Sequence, residues 1–360
     1  MAGSKTAWLL SAPLSATNAK ADTALFPFLA RLMRGDDLSM AEAADFFRAM
    51  TGGQVGSIQI AAALTALTAK GETHEELAGM ASVMREAAIK IRSPKNAVDI
   101  GGTGSSAAKT FNISTAAALV AAGAGQIVAK QCNRGITSKA GSADVLGELG
   151  VKVANEPEIA QASLSGAGLS FLFAPKFHPA LTRLADTRGR LGIRTCLNLL
   201  GLLANPASPS RQVIGVWHQS LIEPVARALS LLKPDLAWVV HGEDGLDEIT
   251  LKGKTFVAAV RGSEVRPYTI SPIDFALKAS KIEHLKTNSA KESAAIIRDV
   301  LSSKRRDEAR SLVVLNAAAA IFVGGLAKDP MHAARLAEQS IDSGMAQNKL
   351  ERLIQVTNKR

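Results

Sequence analysis

Asp247 and Glu248 stand side by side in HGEDGLDEITL, directly after the apolar run Ala237 to Val240. Adjacent carboxylates on a loop at a strand end repel each other unless a cation or a donor lies between them. A hard divalent ion bound through carboxylate oxygens meets that need. Taken alone, the dipeptide is better read as a solvated acidic turn. The second chemical element is the stretch from Asp99 to Gly150. There a short apolar run leads into a glycine-rich loop, a helix begins near Asn112, and a strand-like Gln126 to Ala129 precedes Lys130 and a second loop rich in Lys, Asn, Arg and hydroxyls. Backbone N–H groups at a helix start and in a Gly-rich turn carry partial positive charge, so two such loops side by side cradle an anion, most simply a phosphate. Lys130 adds a point charge on a flexible stem, and Asn112, Ser114, Thr115 and Ser142 add short donors at helix starts, where helix capping explains them just as well. Gly102-Thr103-Gly104 lacks the third glycine of the dinucleotide fingerprint, and no Gly-Lys-Ser/Thr closes a Walker loop.

The elements that must hold these residues fall into two patterns. From Asp22 to Ile91 the sequence reads as all helix, with Ser39 to Glu42 and Thr73 to Glu76 both fitting the capping box. Between them, Ile58, Ala61, Ala62, Thr65 and Ala69 form a small-residue helical face able to pack against another helix. After Ser93-Pro94 short apolar strands alternate with Ala-rich helices, through Val98–Ile100, Gly168–Phe173, Val213–Val216, Ala237–Val240 and Phe256–Val260. That alternation argues an α/β domain with a mainly parallel central sheet. Pro179 to Leu203 interrupts it with helical pattern, and Val313 to Phe322 and Ala337 to Ser343 read as late helices. Residues 1–20 contain no acid and read as a flexible extension.

Composition narrows the function classes. At 360 residues and 47% hydrophobic, the chain can fill one large core and a smaller one. A single Tyr and three Trp disfavour an aromatic platform for single-stranded nucleic acid. Cys132 and Cys196 are too few for a disulfide framework or a zinc site, which makes a reducing cytoplasm the expected location. Nothing approaches eighteen unbroken apolar residues, so no membrane span is expected. The net charge of +10 suits a polyanionic substrate in a local pocket, or nucleic acid on a broad face.

Taken together, DIGGTGSSAAKTFNIST, KQCNR and AGSADVL resemble the D-x-x-GTGGD-x-x-x-x-FNIST, KHGNR and SGSADVL blocks of the anthranilate-type phosphoribosyltransferases of glycosyltransferase family 3, in order and at matching spacing. The resemblance runs from about residue 22 to near the end. It implies a small all-helical N-terminal domain over 21–95, with 178–206 returning to it, and a large α/β domain over 96–177 and 207–360 that binds phosphoribosyl pyrophosphate. It also implies a homodimer formed through the helical domain. The implied reaction is displacement of pyrophosphate from phosphoribosyl pyrophosphate by anthranilate, with Mg²⁺ as cofactor. Carried over residue by residue, Gly102, Thr103, Gly104, Ser105, Ser106, Thr110, Asn112, Ser114, Thr115, Lys130 and Ser142 fall on the donor, and Gly102, Asn133, His178 and Arg188 on anthranilate. Ser114, Asp247 and Glu248 fall on the metal.

Three departures stand out. Ser105 and Ser106 replace a glycine and an acid of the loop, Gln131 and Cys132 replace the histidine and glycine of KHGNR, and Leu202 replaces a proline. The first bears on the pyrophosphate loop and the second on the acceptor; the third is expected to touch only the rigidity of a helix end. They keep two other readings in view: the same donor chemistry on a different aromatic amine, and a non-catalytic relative that binds nucleic acid along a basic groove. Retention of both adjacent acids favours catalysis.

Overall fold

A computed structural model describes residues 24–104, 108–135, 140–153 and 156–359. The expected extension over 1–20 lies outside them, as do Ser105 and Ser106. Seven strands form one sheet: β1 (Val98–Gly102), β2 (Val128–Cys132), β3 (Leu169–Phe173), β4 (Arg211–Gly215), β5 (Leu236–Gly242), β6 (Thr255–Arg261) and β7 (Glu264–Ile270). Their spatial order is β3-β2-β1-β4-β5-β6-β7. The first five run parallel, with Gly102 of β1 in register with Gly215 of β4, and β6 and β7 run antiparallel. β1, β3, β4, β5 and β6 follow the apolar runs of the sequence to within two residues, and β2 ends three residues beyond the strand-like Gln126 to Ala129. β7 carries no such run because EVRPYTI is mostly exposed, and Pro267 with its charged neighbours blunts a sheet edge. It forms because Gly262 (φ +57°) closes a two-residue Gly-Ser hairpin with β6.

One face of the sheet carries two buried helices, Ile113–Gly123 and Glu308–Val323. Their alanines let them approach closely, and where Gly123 passes a third helix, Pro330–Asp342, a Cβ would meet Ser340 Oγ at 2.2 Å. Helix Pro330–Asp342, expected over Ala337 to Ser343, packs against both buried helices, and helices Ala290–Leu301 and Met345–Thr357, which the sequence reading did not include, join this layer.

The helical part holds Phe26–Leu32, Met40–Thr51, Ser57–Lys70 and His74–Ala87. Both capping boxes form: Ser39 Oγ accepts from Glu42 N–H while the Glu42 carboxylate accepts from Ser39 N–H, and Thr73 and Glu76 repeat the exchange. Helices Pro179–Leu191 and Leu197–Leu203 return to it, with Leu184, Leu197 and Leu200 sharing a core with Phe46, Phe47 and Leu64. In Ser57–Lys70 the inward face is Ile60, Ala63, Leu64 and Leu67. The small-residue stripe faces outward, with Ile58 80% exposed in the single chain.

Candidate active site

A cavity of about 420 Å³ opens at the C-terminal ends of β1 and β2, beneath the returning helices. Open parallel sheets bind ligands at this end. Gly102, Thr103, Gly104, Thr110, Asn112 and Ser114 line one side, Lys130, Asn133 and Ser142 a second, and Asp247, Glu248 and Arg188 close it. Most residues singled out from the sequence therefore meet in one place. Thr115 and His178 do not line it: Thr115 is wholly buried one position further into its helix, and the His178 ring stands behind the cavity wall, its Nε2 3.5 Å from Gln131 Oε1.

Glycine makes the acid pair fit. The Asp247 backbone lies across the ends of β1 and β4, where a Cβ on Gly215 would meet Asp247 O at 1.7 Å and one on Gly102 would meet it at 2.5 Å. Thr103 Oγ1 and Gly104 N–H donate to Asp247 Oδ2 at 2.7 and 2.8 Å, so the Gly-Thr-Gly turn and the acidic loop hold each other. Ser114 N–H, at the start of Ile113–Gly123, donates to Glu248 Oε1 at 3.1 Å. Glu248 Oε2 is buried with no hydrogen-bond partner. Burial, then the neighbouring Asp247 carboxylate, pushes the Glu248 carboxyl well above the usual range. Two carboxylates, one of them with an orphaned oxygen, and the nearby Ser114 form a hard-oxygen set that fits Mg²⁺. Among the described residues no group of three or more His, Cys, Asp or Glu gathers, and a magnesium ion that keeps waters and takes substrate phosphates needs no more than these.

Five basic side chains, Lys109, Lys130, Arg134, Arg188 and Arg194, face two acidic ones in the described cavity wall, which makes the pocket net positive. Lys130 is 3% exposed and donates to Ile100 O at 2.6 Å. Beneath it Asn205 Nδ2 donates to both Asp99 Oδ2 and Ala129 O at 2.8 Å, a polar layer that the sequence signals only as the first acid of the glycine-loop motif. Arg188 is half-buried, its Nε is orphaned, and no carboxylate pairs with it among the described residues. Arg190, two positions on, is an exposed partner of Asp186 at 3.8 Å. Of Arg188 and Arg190, Arg188 is the one that lines the cavity.

The departures cluster here too. Gln131 and Cys132 both line the cavity, and burial pushes the Cys132 thiol up to about 12, so it acts as a small apolar group. Leu202, expected to touch only a helix end, reaches the cavity wall, its Cδ2 3.2 Å from where a Cβ on Gly101 would lie. A helix terminus that points into the cleft made the difference.

Burial lowers the His178 imidazole from 6.5 to about 4. The unfolded chain therefore takes up a proton that the folded chain refuses. Stability is retained above the ordinary value of 6.5 and is lost as pH falls toward about 4. Between about pH 7 and about pH 5 urea unfolding of the native chain should lose about 2 kcal/mol more than that of a His178→Gln variant. Equal pH slopes would show that the ring charges freely in the fold.

The sequence pattern of the glycosyl transferase family a/b domain matches residues 94–347, and that of the family's helical bundle domain matches residues 26–88. The chain belongs to this glycosyl transferase family. Anthranilate phosphoribosyltransferases of Rubrobacter xylanophilus and Bradyrhizobium sp. are 44% and 42% identical to it, each match spanning 92% of this chain and 97% and 98% of theirs. The crystal structure of the Thermus thermophilus anthranilate phosphoribosyltransferase superposes with a TM-score of 0.85 at 37% identity, over 92% of this chain and 99% of that one. The Saccharomyces cerevisiae enzyme, in complex with PRPP and Mg, superposes with a TM-score of 0.84 at 25% identity, over 94% and 99%. Like the sequence match to the glycosyl transferase family, these superpositions span both the helical and the α/β parts. Among the described residues no helix is long and apolar enough to cross a membrane.

Proposed function

We propose that this glycosyl transferase moves the phosphoribosyl group of phosphoribosyl pyrophosphate to the amine of anthranilate, releasing pyrophosphate and giving N-(5′-phosphoribosyl)anthranilate, a step of tryptophan biosynthesis in the cytoplasm. The observation that carries it is one net-positive cavity in which an acid pair and a Gly-Thr-Gly turn stand together with an unpaired arginine fork. The domain division read from the sequence places this cavity between the two parts.

The departing pyrophosphate is densely anionic, so groups that hold developing charge contribute most of the rate. The Gly102–Gly104 turn, Thr110 and the Asn112 side-chain amide, with Lys130 and Ser142, hold the phosphates and ribose. Asp247, Glu248 and Ser114 would hold Mg²⁺, which supplies charge neutralisation to the leaving group. Arg188 takes the carboxylate of anthranilate in a two-pronged hydrogen bond, with Asn133 beside the amine. An aromatic amine is unprotonated near neutral pH, so holding it against the anomeric carbon suffices without a general base. The two buried free cysteines suit a reducing compartment.

Incubation with Mg²⁺, phosphoribosyl pyrophosphate and anthranilate should quench anthranilate fluorescence. Gln131 and Cys132 on the acceptor side favour a second reading, another aromatic amine as acceptor. Turnover with such an amine and none with anthranilate would select that reading. Arg188→Gln should raise the KM for anthranilate by on the order of 10²-fold, the scale of a lost charged pair of hydrogen bonds, and leave that for the donor unchanged. Against the nucleic-acid reading, the basic residues Lys252, Arg305 and Arg306 each pair with a carboxylate.

The exposed stripe around Ile58 supports pairing of two chains through the helical domain. Sedimentation should give a species of two chains, and Ile58→Glu should shift it to one.

A further inference from the structure

The far end of the glycine-rich loop is fastened to a segment that contributes no residue to the assignments above. Phe111 N–H donates to Leu285 O at 3.3 Å, Thr287 N–H donates to Lys109 O at 3.2 Å, and Thr110 pairs with Lys286 in an isolated antiparallel bridge. One residue on, Asn112 is gripped twice by Ser293 of helix Ala290–Leu301. The Asn112 N–H donates to Ser293 Oγ at 2.9 Å, and Ser293 Oγ–H donates to Asn112 Oδ1 at 3.0 Å. Ser293 is wholly buried, so its hydroxyl has no water to turn to.

The polarity of this grip has a chemical result. A hydroxyl has one proton, and here it goes to the amide oxygen. The other end of the Asn112 amide, Nδ2 with its two N–H donors, has no acceptor among the described residues, and Asn112 lines the cavity. Nor does its side chain cap the helix it precedes. Released from Ser293, the amide is free to turn its oxygen toward the cavity, where it would meet an anionic ligand acceptor to acceptor.

We propose that Ser293 is a positioning residue for the sugar donor: its hydroxyl locks the Asn112 amide so that two N–H donors face a phosphoryl oxygen of the substrate. The inference rests on the cavity being the phosphoribosyl pyrophosphate site.

The test is titration calorimetry of Mg²⁺–phosphoribosyl pyrophosphate into the full chain without acceptor, for native protein, Ser293→Ala, Asn112→Ala and the double variant. Ser293→Ala should weaken donor binding by about tenfold, the scale of one hydrogen bond to a charged group. In the Asn112→Ala background the same change should cost nothing further, because Ser293 acts only through that amide. In turnover the donor KM should rise while the anthranilate KM stays put, a split that general loosening of the fold would not give. Native-like donor binding by Ser293→Ala overturns the proposal, as does an equal additional loss in the Asn112→Ala background. If Asn112→Ala alone binds the donor like native protein, the amide has no role and the proposal falls as well. Absence of binding by the native chain would instead remove the reading of the cavity on which it rests.

Discussion

Replacing Asp247 by Asn and Glu248 by Gln together should lower turnover by on the order of 10³-fold or more, while the melting temperature holds or rises. The two effects part because the pair serves binding at a cost to the fold. Asp247 is buried, Glu248 stands next to it half-buried, and the buried Oε2 of Glu248 has no partner. Neutral amides of the same shape remove the mutual repulsion and most of the desolvation penalty. The amide introduced by Asp247→Asn would keep an oxygen for the Thr103 and Gly104 donors that now hold Asp247 Oδ2. Thermal melts and the anthranilate fluorescence assay on the same preparation give the result. A variant that keeps turnover within tenfold of native would show that the carboxylates do not handle the departing charge.

Gly215→Ala should lower turnover by on the order of 10²-fold without touching any group that meets substrate. Its new Cβ would stand 1.7 Å from Asp247 O and 2.4 Å from the carbonyl carbon, both backbone atoms that cannot rotate away. The acidic loop must therefore shift by an ångström or more, and the acid pair moves with it. Gly166→Ala is the matched control. Gly166 lies inside helix Pro157–Ala167 with nothing within 4 Å of its would-be Cβ, so alanine there should stabilise by about 0.5–1 kcal/mol and leave turnover unchanged. Equal activity of the two variants would show that the acidic loop tolerates displacement.

Both predictions depend on contacts made far apart in sequence, and the same holds for what was and was not readable there. The parallel strands were legible because they are short runs buried on both faces, and both N-terminal capping boxes because a hydroxyl and a carboxylate three residues apart satisfy each other locally. β7 was not, since an exposed edge strand has no apolar signature, and Ser293 was not, since a serine one turn into a helix is unremarkable until its partner is known.

By itself the sequence determined the α/β class, the helical N-terminal part, the glycine-rich loop and the acid pair, all of which follow from local patterns or from contiguous motifs. Only the tertiary structure decided which arginine lines the cavity, that His178 stands behind Gln131, that Leu202 reaches the wall, that Gly215 makes room for Asp247, and that Ser293 orients Asn112. Each of these depends on the direction of a side chain or the approach of two backbones. Such relations are set when β1, β4, the acidic loop and the returning helices pack together, and no run of neighbouring residues carries them.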